Sequence, residues 1–381
     1  MENTPHAPTN IPAARVSVNT AAENTAADAG PPAPIAAQHL QMREFLHLGG
    51  GFWHRHAAGR SWLLTFAIIA VAVGEIIVQL GINEWNGWFF DMLAKKQTGQ
   101  LGRITLTFIG LAFAAIAMAA LGVLCRMLLQ VRWRQWLTSE MLDLWLADNR
   151  YMRLLTIGGD GNNPEHRIAE DVRLSTEPVT DFVTGLITAL LTSATFLGLL
   201  WTLGGDITFP GTQVSIPGFM VYVVLLYSVC AWFLTLLIGG GYVSMIKDRN
   251  EAEARLRYEL IHLREQSSKL KDAPSPGKQR AGISRALLNV ATVWTRVAHR
   301  SAQMTWVGYG NVIIAPVVPL LLVAPKYLAD EMTLGTVMQV ALAFVQVQTA
   351  LNWFVANYAR LSEWYASVVR VIALEEALHE L

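Results

Sequence analysis

The chain has 381 residues, of which 53% are hydrophobic and only 15% carry charge. Soluble domains average about 25% charged residues, so this composition excludes an ordinary soluble protein and indicates a membrane protein. The formal net charge is zero, which gives no reason to expect a nucleic-acid partner. Both cysteines, Cys125 and Cys230, lie in apolar runs, which predicts buried thiols rather than a disulfide or a metal site.

The predicted elements begin with a polar tail. Residues 1–40 are rich in Ala, Pro, Thr and Asn, which predicts a disordered cytoplasmic tail rather than a signal peptide. Residues 41–60 are predicted to lie at the membrane surface, and residues 61–375 to form one all-α membrane domain. Its six apolar segments each have about the 20 residues that a helix needs to span a bilayer. They are Trp62–Ile82, Ile104–Leu124, Phe182–Leu203, Phe219–Leu237, Met304–Val323 and Leu334–Phe354.

Basic residues are distributed unevenly around these segments. All but four of the 29 Lys and Arg residues lie near the two termini or in the long loops 126–177 and 246–300. Because cytoplasmic loops are enriched in Lys and Arg, both termini and both long loops are predicted to face the cytoplasm from an inner membrane. The four exceptions are Lys95, Lys96, Arg103 and Lys326.

The two long loops are predicted to be helical hairpins that project from the membrane. No proline occurs between Pro34 and Pro164, so a helix that includes the second span can continue without a break through residues 126–155, far beyond the bilayer. Strong helix formers with no proline before Pro274 predict the same after the fourth span. An apolar stripe suited to helix bundling consists of Leu137, Met141, Leu144 and Trp145.

Polar side chains share one face of the first predicted span, within about 80° on a helical wheel. They are Glu75, Gln79, Asn83 and Asn86. An ionisable residue inside the membrane is costly and usually functional, so we predict a substrate path along this face. Proton coupling by Glu75 and a structural hydrogen bond of Glu75 are the alternatives. A second polar face, for which a cavity wall and close helix packing are equally open, consists of Gln339, Gln346 and Asn357.

Four stretches in this order and spacing resemble a known family. They are NEWNGWFFDML at Asn83–Leu93, VRWRQWLT at Val131–Thr138, NPEHRIAEDV at Asn163–Val172 and WFVANYARLSEW at Trp353–Trp364. They resemble the branch of exporter-fold ABC transporters that holds YddA-like bacterial half-transporters, peroxisomal fatty-acyl half-transporters and SbmA/BacA-like peptide uptake proteins. The resemblance implies the type 1 ABC exporter transmembrane fold and a homodimer in a lipid membrane.

The resemblance also implies that the polar segment NPEHRIAEDV is a coupling helix that docks on a nucleotide-binding ATPase domain. Asn163 followed by Pro164 predicts the helix start, with a side-chain cap and a proline at the first helical position. Carboxylates of the helix would meet basic groups of that domain, while Ile168 and Val172 would fill an apolar notch. The implied coupling residues are Asn163, Pro164, Glu165, His166, Arg167, Ile168, Glu170 and Asp171.

The chain contains no phosphate-binding motif G-x-x-x-x-G-K-[ST]. We therefore expect no ATPase activity, resident cofactor or metal here, and ATP bound on a separate or missing domain that would begin after residues 376–381. The leading hypothesis is the permease component of an ABC transporter. The alternative is SbmA/BacA-like proton-coupled uptake of peptides or similar large polar cargo. The sequence leaves the cargo and the direction of transport open.

Overall fold

The computed structural model describes residues 45, 49–54, 58–157, 164–208, 215–267 and 276–379. The predicted tail 1–40 and Asn163 lie outside these residues. The helices are α1 (Ala58–Ala94), α2 (Leu101–Leu146), α3 (Arg150–Ile157), α4 (Pro164–His166), α5 (Val172–Leu203), α6 (Phe219–Gly239), α7 (Tyr242–Ser267), α8 (Pro276–Leu328), α9 (Leu334–Leu351) and α10 (Trp353–His379). The short elements are 3-10 turns at Thr98–Gln100 and Ala147–Asn149, a π-helical turn at Arg167–Asp171, and the antiparallel strands β1 (Ile207–Thr208) and β2 (Ser215–Ile216).

The predicted all-α membrane architecture is confirmed. Within the described residues, six helical stretches are long and apolar enough to cross a membrane, and each contains one of the six predicted spans. A helix satisfies its own backbone hydrogen bonds, which is the condition for crossing lipid.

Both long loops are largely helical, as predicted, but the first is interrupted. Helix α2 runs 46 residues, about 69 Å at 1.5 Å per residue, before it ends at Leu146. Asp148 and Asn149 then adopt left-handed backbone angles, with φ of 48° and 58°. After glycine, Asp and Asn are the residues that adopt this conformation most readily. Because these two residues interrupt the helix, the prediction of a single unbroken helix is wrong here.

Helix α9 lies at the centre of the bundle, against α1, α5, α6 and α8. It approaches α1 closely because Gly335 lies on the backbone carbonyl of Gly87, where a side chain would overlap that oxygen. Asp91 accepts a hydrogen bond from the Gly335 amide at 2.7 Å and fixes the start of α9. The adjoining core consists of Phe196, Leu200, Phe219, Met220, Val224, Val323, Val337, Val340, Ala343, Phe344 and Val347.

At the other end of the bundle, α2 packs against the π-helical turn and α10. Leu137 and Met141 are fully buried there, and Leu144 and Trp145 pack on the same cluster, so the predicted bundling stripe is confirmed. The prediction of buried cysteines is correct for Cys125 and wrong for Cys230, which is exposed on α6. The surface of a membrane helix is itself apolar, so an apolar run does not establish burial in the protein.

The second hairpin, α7 with the first half of α8, packs chiefly on itself. Ala252, Val290 and Val293 form its small core. Apolar side chains remain exposed along it although this part of the chain is highly charged. They are Tyr258, Leu260, Ile261, Leu287, Leu288 and Trp294.

Candidate functional site

A cavity of about 430 Å³ opens among α1, α2, α5 and the junction of α9 with α10. Glu75, Gln79 and Gln346, three of the predicted path residues, line it. Gly185 lies directly against the indole of Trp353, where a side chain would collide with the ring. The polar part of the lining consists of Glu75, Gln79, Arg126, Thr184, Thr188, Thr192, Gln346 and Thr349.

The other predicted path residues lie outside this lining. Asn83 is buried between α1 and α9, where its amide donates to the Gln339 carbonyl oxygen at 3.0 Å. Asn86 and Asn357 donate to carbonyl oxygens of their own helices, those of Ile82 and Trp353. The side chain of Gln339 lies against Gly87. Asn83 and Gln339 therefore lie in the contact between α1 and α9, and Asn86 and Asn357 bond within their own helices. Of the predicted path residues on α1, only Glu75 and Gln79 line the cavity.

Gln79 offers the cavity an unused acceptor. Its Oε1 atom is buried and has no hydrogen-bond partner among the described residues. A buried polar group left unpaired costs about 1–3 kcal/mol, so a donor inside the cavity would stabilise this arrangement. Water or the donor group of a cargo molecule can fill that role.

Five polar lining residues were not identified from the sequence. Thr184, Thr188 and Thr192 repeat every fourth residue along α5, a spacing that places them on one helical face. That repeat is a usable signal, which the apolar character of the segment obscured. Arg126 was assigned to a cytoplasmic loop, whereas its side chain borders the cavity. Thr349 on α9 gave no sequence signal.

Ion pairs lead from the cavity toward the polar segment. Arg126 lies 3.2 Å from Asp181, which also accepts a hydrogen bond from Gln130 at 2.7 Å. Arg360 of α10 approaches the same carboxylate at 3.6 Å. Asp181 thus joins α2, α5 and α10 just below the apolar part of α5.

One helical turn further, Glu177 repeats this arrangement. It pairs with Arg134 of α2 at 3.3 Å and with Arg173 at 3.0 Å, and Arg173 also pairs with Glu170. The hydrogen bond from Arg173 lowers the pKa of the Glu170 carboxyl, and the same bond raises the pKa of Arg173. We call this line of paired residues from Arg126 to Glu170 the ionic ladder.

The ladder ends at the predicted coupling helix, which begins at Pro164 as the sequence indicated. Glu165 and His166 are exposed, and Arg167 and Glu170 are half-buried. Residues 167–171 form a π-helical turn, a rare element that is frequent at functional sites.

The opposite face of this segment points into the protein. Asp171 is only 2% exposed and accepts two hydrogen bonds from Arg370 of α10, at 2.8 and 3.0 Å. Ile168 and Val172 are buried against Leu374 and its neighbours in the same chain. These three residues therefore do not face outward, contrary to the expectation that Asp171 meets a partner's basic group and that the two apolar residues fill a partner's notch.

Comparison with known proteins gives a consistent result. Residues 55–270 match the family described as ABC transporter transmembrane region 2. The chain is 30% identical over 345 residues to the inner membrane ABC transporter ATP-binding protein YddA of Escherichia coli K12, covering 89% of this chain and 61% of that protein. It is 22% identical over 337 residues to an uncharacterized ABC transporter ATP-binding protein of Synechocystis, covering 85% of this chain and 48% of that protein.

A plant protein also matches. The chain is 21% identical over 347 residues to the chloroplastic ABC transporter D family member 2 of Arabidopsis thaliana, covering 91% of this chain and 47% of that protein. The chain therefore spans between 47% and 61% of the lengths of these three relatives.

Proposed function

The chain belongs to the ABC transporter transmembrane region 2 family, and we propose that it is the permease component that moves a solute across a bacterial inner membrane. A nucleotide-binding domain outside these 381 residues, on the same or another polypeptide, supplies the energy from ATP. The chain contributes the path and the mechanical link, and its partner contributes hydrolysis.

The observation that carries this proposal is the ionic ladder. Its ion pairs form two groups, one at Asp181 beside Arg126 of the cavity wall and one from Glu177 to Glu170 of the polar segment. Gln130 of α2 bridges them, because it donates hydrogen bonds to the Asp181 carboxylate and to the Glu177 carbonyl oxygen. A cavity with polar residues in its wall, formed among membrane-spanning helices, suits a solute path, because polar groups in a membrane are retained where they serve transport. The edge of the segment that carries the exposed Glu165 and His166 and the half-buried Glu170 supplies the docking face for the nucleotide-binding domain.

The comparisons favour ATP over a proton gradient as the energy source. Two of the relatives reported above are named ATP-binding proteins, and the third is an ABC transporter. No observation favours the proton-coupled alternative, in which Glu75 would load and release a proton. Glu75 instead lines the solute path as a fixed polar group beside Gln79.

A second copy of the chain completes the path. The hairpin of α7 and α8 exposes Tyr258, Leu287 and Trp294 in a charged part of the chain that lies outside the six predicted apolar segments. Apolar side chains exposed to water in a cluster mark an interface, so this hairpin packs on the second copy. The excess of Lys and Arg in the same loops orients both termini and both hairpins toward the cytoplasm.

Charge reversal of the docking face is expected to weaken binding of the nucleotide-binding domain. The variant is Glu165→Lys with Glu170→Lys, and the probe is the ATP-binding part of the E. coli relative, expressed as a separate domain. Affinity for the full-length chain in nanodiscs should fall about tenfold, because like charges placed across an interface repel.

The matched control reverses two exposed carboxylates at the membrane end of the second hairpin, Asp248→Lys with Glu251→Lys. It should bind the probe as the parent chain does. Equal loss in both variants would mean a general charge effect, and unchanged binding in the Glu165/Glu170 variant would remove the docking role of the segment.

A further inference from the structure

A second cavity, of about 370 Å³, lies at the N-terminal end of the first span. Its lining is almost wholly apolar and consists mainly of aliphatic and aromatic side chains. Residues from the N-terminal segment, α1, α2, α5 and α10 form the wall. The aromatic members are Phe45, Trp53, Trp133 and Trp364. We call this cavity the aromatic pocket.

The N-terminal segment closes one side of the aromatic pocket through three consecutive glycines. Gly49 lies against the edge of the Trp133 ring that carries the indole nitrogen, and Gly51 lies against Trp136. Gly50 lines the pocket, and no described atom lies within 4 Å of the position that a side chain would take there. Gly49 and Gly51 thus pack against tryptophan rings, while Gly50 between them leaves the adjacent space unfilled.

One polar group in this wall has no partner. Trp53 donates its indole N–H to Thr65 and Trp364 donates to the Ser175 carbonyl oxygen, each at about 3 Å. The indole nitrogen of Trp133 has no hydrogen-bond partner among the described residues, although this side chain is only 6% exposed. A buried donor left unpaired is costly, so an acceptor at the pocket would stabilise it.

The surroundings identify the molecule that carries this acceptor. Ile69 and Val183 line the pocket and are also exposed, and both lie in helices that are long and apolar enough to cross a membrane. The segment that covers the pocket continues to the exposed side chains of His54 and Arg60. An apolar chamber open toward lipid, with an acceptor needed at one wall and basic groups at the membrane surface, matches a phospholipid.

We propose that the aromatic pocket binds one acyl chain of an anionic phospholipid from the membrane leaflet on the side of the N-terminus. The chain fills the apolar space, its ester carbonyl accepts the Trp133 N–H, and the headgroup lies beside Arg60. With the orientation proposed above, this is the cytoplasmic leaflet. Binding at the pocket itself requires neither ATP nor transport.

The test uses the full-length chain in lipid nanodiscs that contain a phosphatidylglycerol with a photoactivatable group on its acyl chain. Cross-linked residues are mapped by mass spectrometry. The variant Gly50→Phe adds a large side chain to the pocket wall, at a position whose Cβ would meet no described atom within 4 Å. Its matched control is Gly59→Phe, because Gly59 also has open space around it but does not line the pocket.

Labelling of residues such as Ile69, Val183 and Trp364 is expected to fall about tenfold in Gly50→Phe and to stay at the parent level in Gly59→Phe. A second variant, Trp133→Phe, keeps an aromatic ring but removes the donor. The parent should prefer an ester-linked probe over its ether-linked analogue about fivefold, and Trp133→Phe should lose that preference.

Pocket labelling that survives in Gly50→Phe would overturn the proposal, as would equal labelling of ester and ether probes in the parent. Displacement of the phospholipid probe by an excess of free fatty acid, but not of unlabelled phosphatidylglycerol, would assign the pocket to a fatty acid and also contradict the proposal. No nucleotide is present in the assay, so its outcome is independent of whether an ATPase drives this chain.

Discussion

Replacing Asp171 with alanine is expected to loosen the C-terminal part of α10 from the rest of the bundle. The carboxylate is buried and accepts two hydrogen bonds from Arg370, so the variant leaves that guanidinium without its partner. Hydrogen bonds to charged groups contribute about 1.5–3 kcal/mol. Because the Arg370 side chain is 42% exposed, water recovers part of this, and we expect a loss of about 2 kcal/mol in local stability.

Amide hydrogen exchange of α10 measures this effect directly. A loss of about 2 kcal/mol raises exchange of the amides near Arg370 roughly 30-fold. The matched control is Glu170→Ala, one residue earlier, which removes a half-exposed pair with Arg173 and should cost about 1 kcal/mol or less. The double exchange Asp171→Arg with Arg370→Asp should restore part of the protection. Equal exchange in the two single variants would contradict the role assigned to the buried pair.

The cavity is expected to hold water, and a single cysteine placed in it should therefore react rapidly with a water-soluble maleimide. Thr188→Cys tests this in a chain whose own cysteines are replaced by alanine. Its control is Leu190→Cys on the same helix, because Leu190 is 58% exposed on the outside of the bundle within an apolar span. The thiolate is the species that attacks maleimide, and it forms in water and not in lipid, so the control should react about tenfold more slowly.

With reagent on both sides of the membrane, the comparison does not depend on which way the cavity opens. A slow reaction at Thr188→Cys would mean that the cavity is dry, and a dry cavity does not suit a path for a polar solute. Fast labelling at both positions would place Leu190 in water and would contradict the assignment of this face to lipid or to a second copy.

The six spans were predictable because a bilayer imposes length and hydropathy on each helix separately. The break after Leu146 was less accessible, since two left-handed residues, Asp148 and Asn149, can end a helix without any proline. Local sequence also predicted the helix start at Pro164. Local sequence did not indicate which elements pack against each other. Arg370, for example, lies 199 residues beyond its partner Asp171.

The sequence predicted which face of α1 carries the polar residues of the candidate site, but not which of them are buried in helix contacts. A helical wheel placed Glu75 and Asn83 on one face, but the close approach of α1 and α9 at Gly87 leaves Asn83 buried in a contact rather than in the cavity. The inward face of the polar segment had a signal in the spacing of Ile168, Asp171 and Val172, which share one side of a helix. The charged residues of the segment indicated only its exposed side.

The most direct test of the central claim measures what changes the accessibility of the cavity. Thr188→Cys protein is reconstituted into proteoliposomes with its nucleotide-binding domain, and maleimide labelling is followed after addition of MgATP with vanadate or after a pH gradient is imposed. We predict that nucleotide changes the labelling rate about fivefold, also in a Glu75→Gln variant, and that a pH gradient has no effect on the chain alone. A response of the chain alone to the pH gradient that disappears in Glu75→Gln, with no response to nucleotide, would contradict the account.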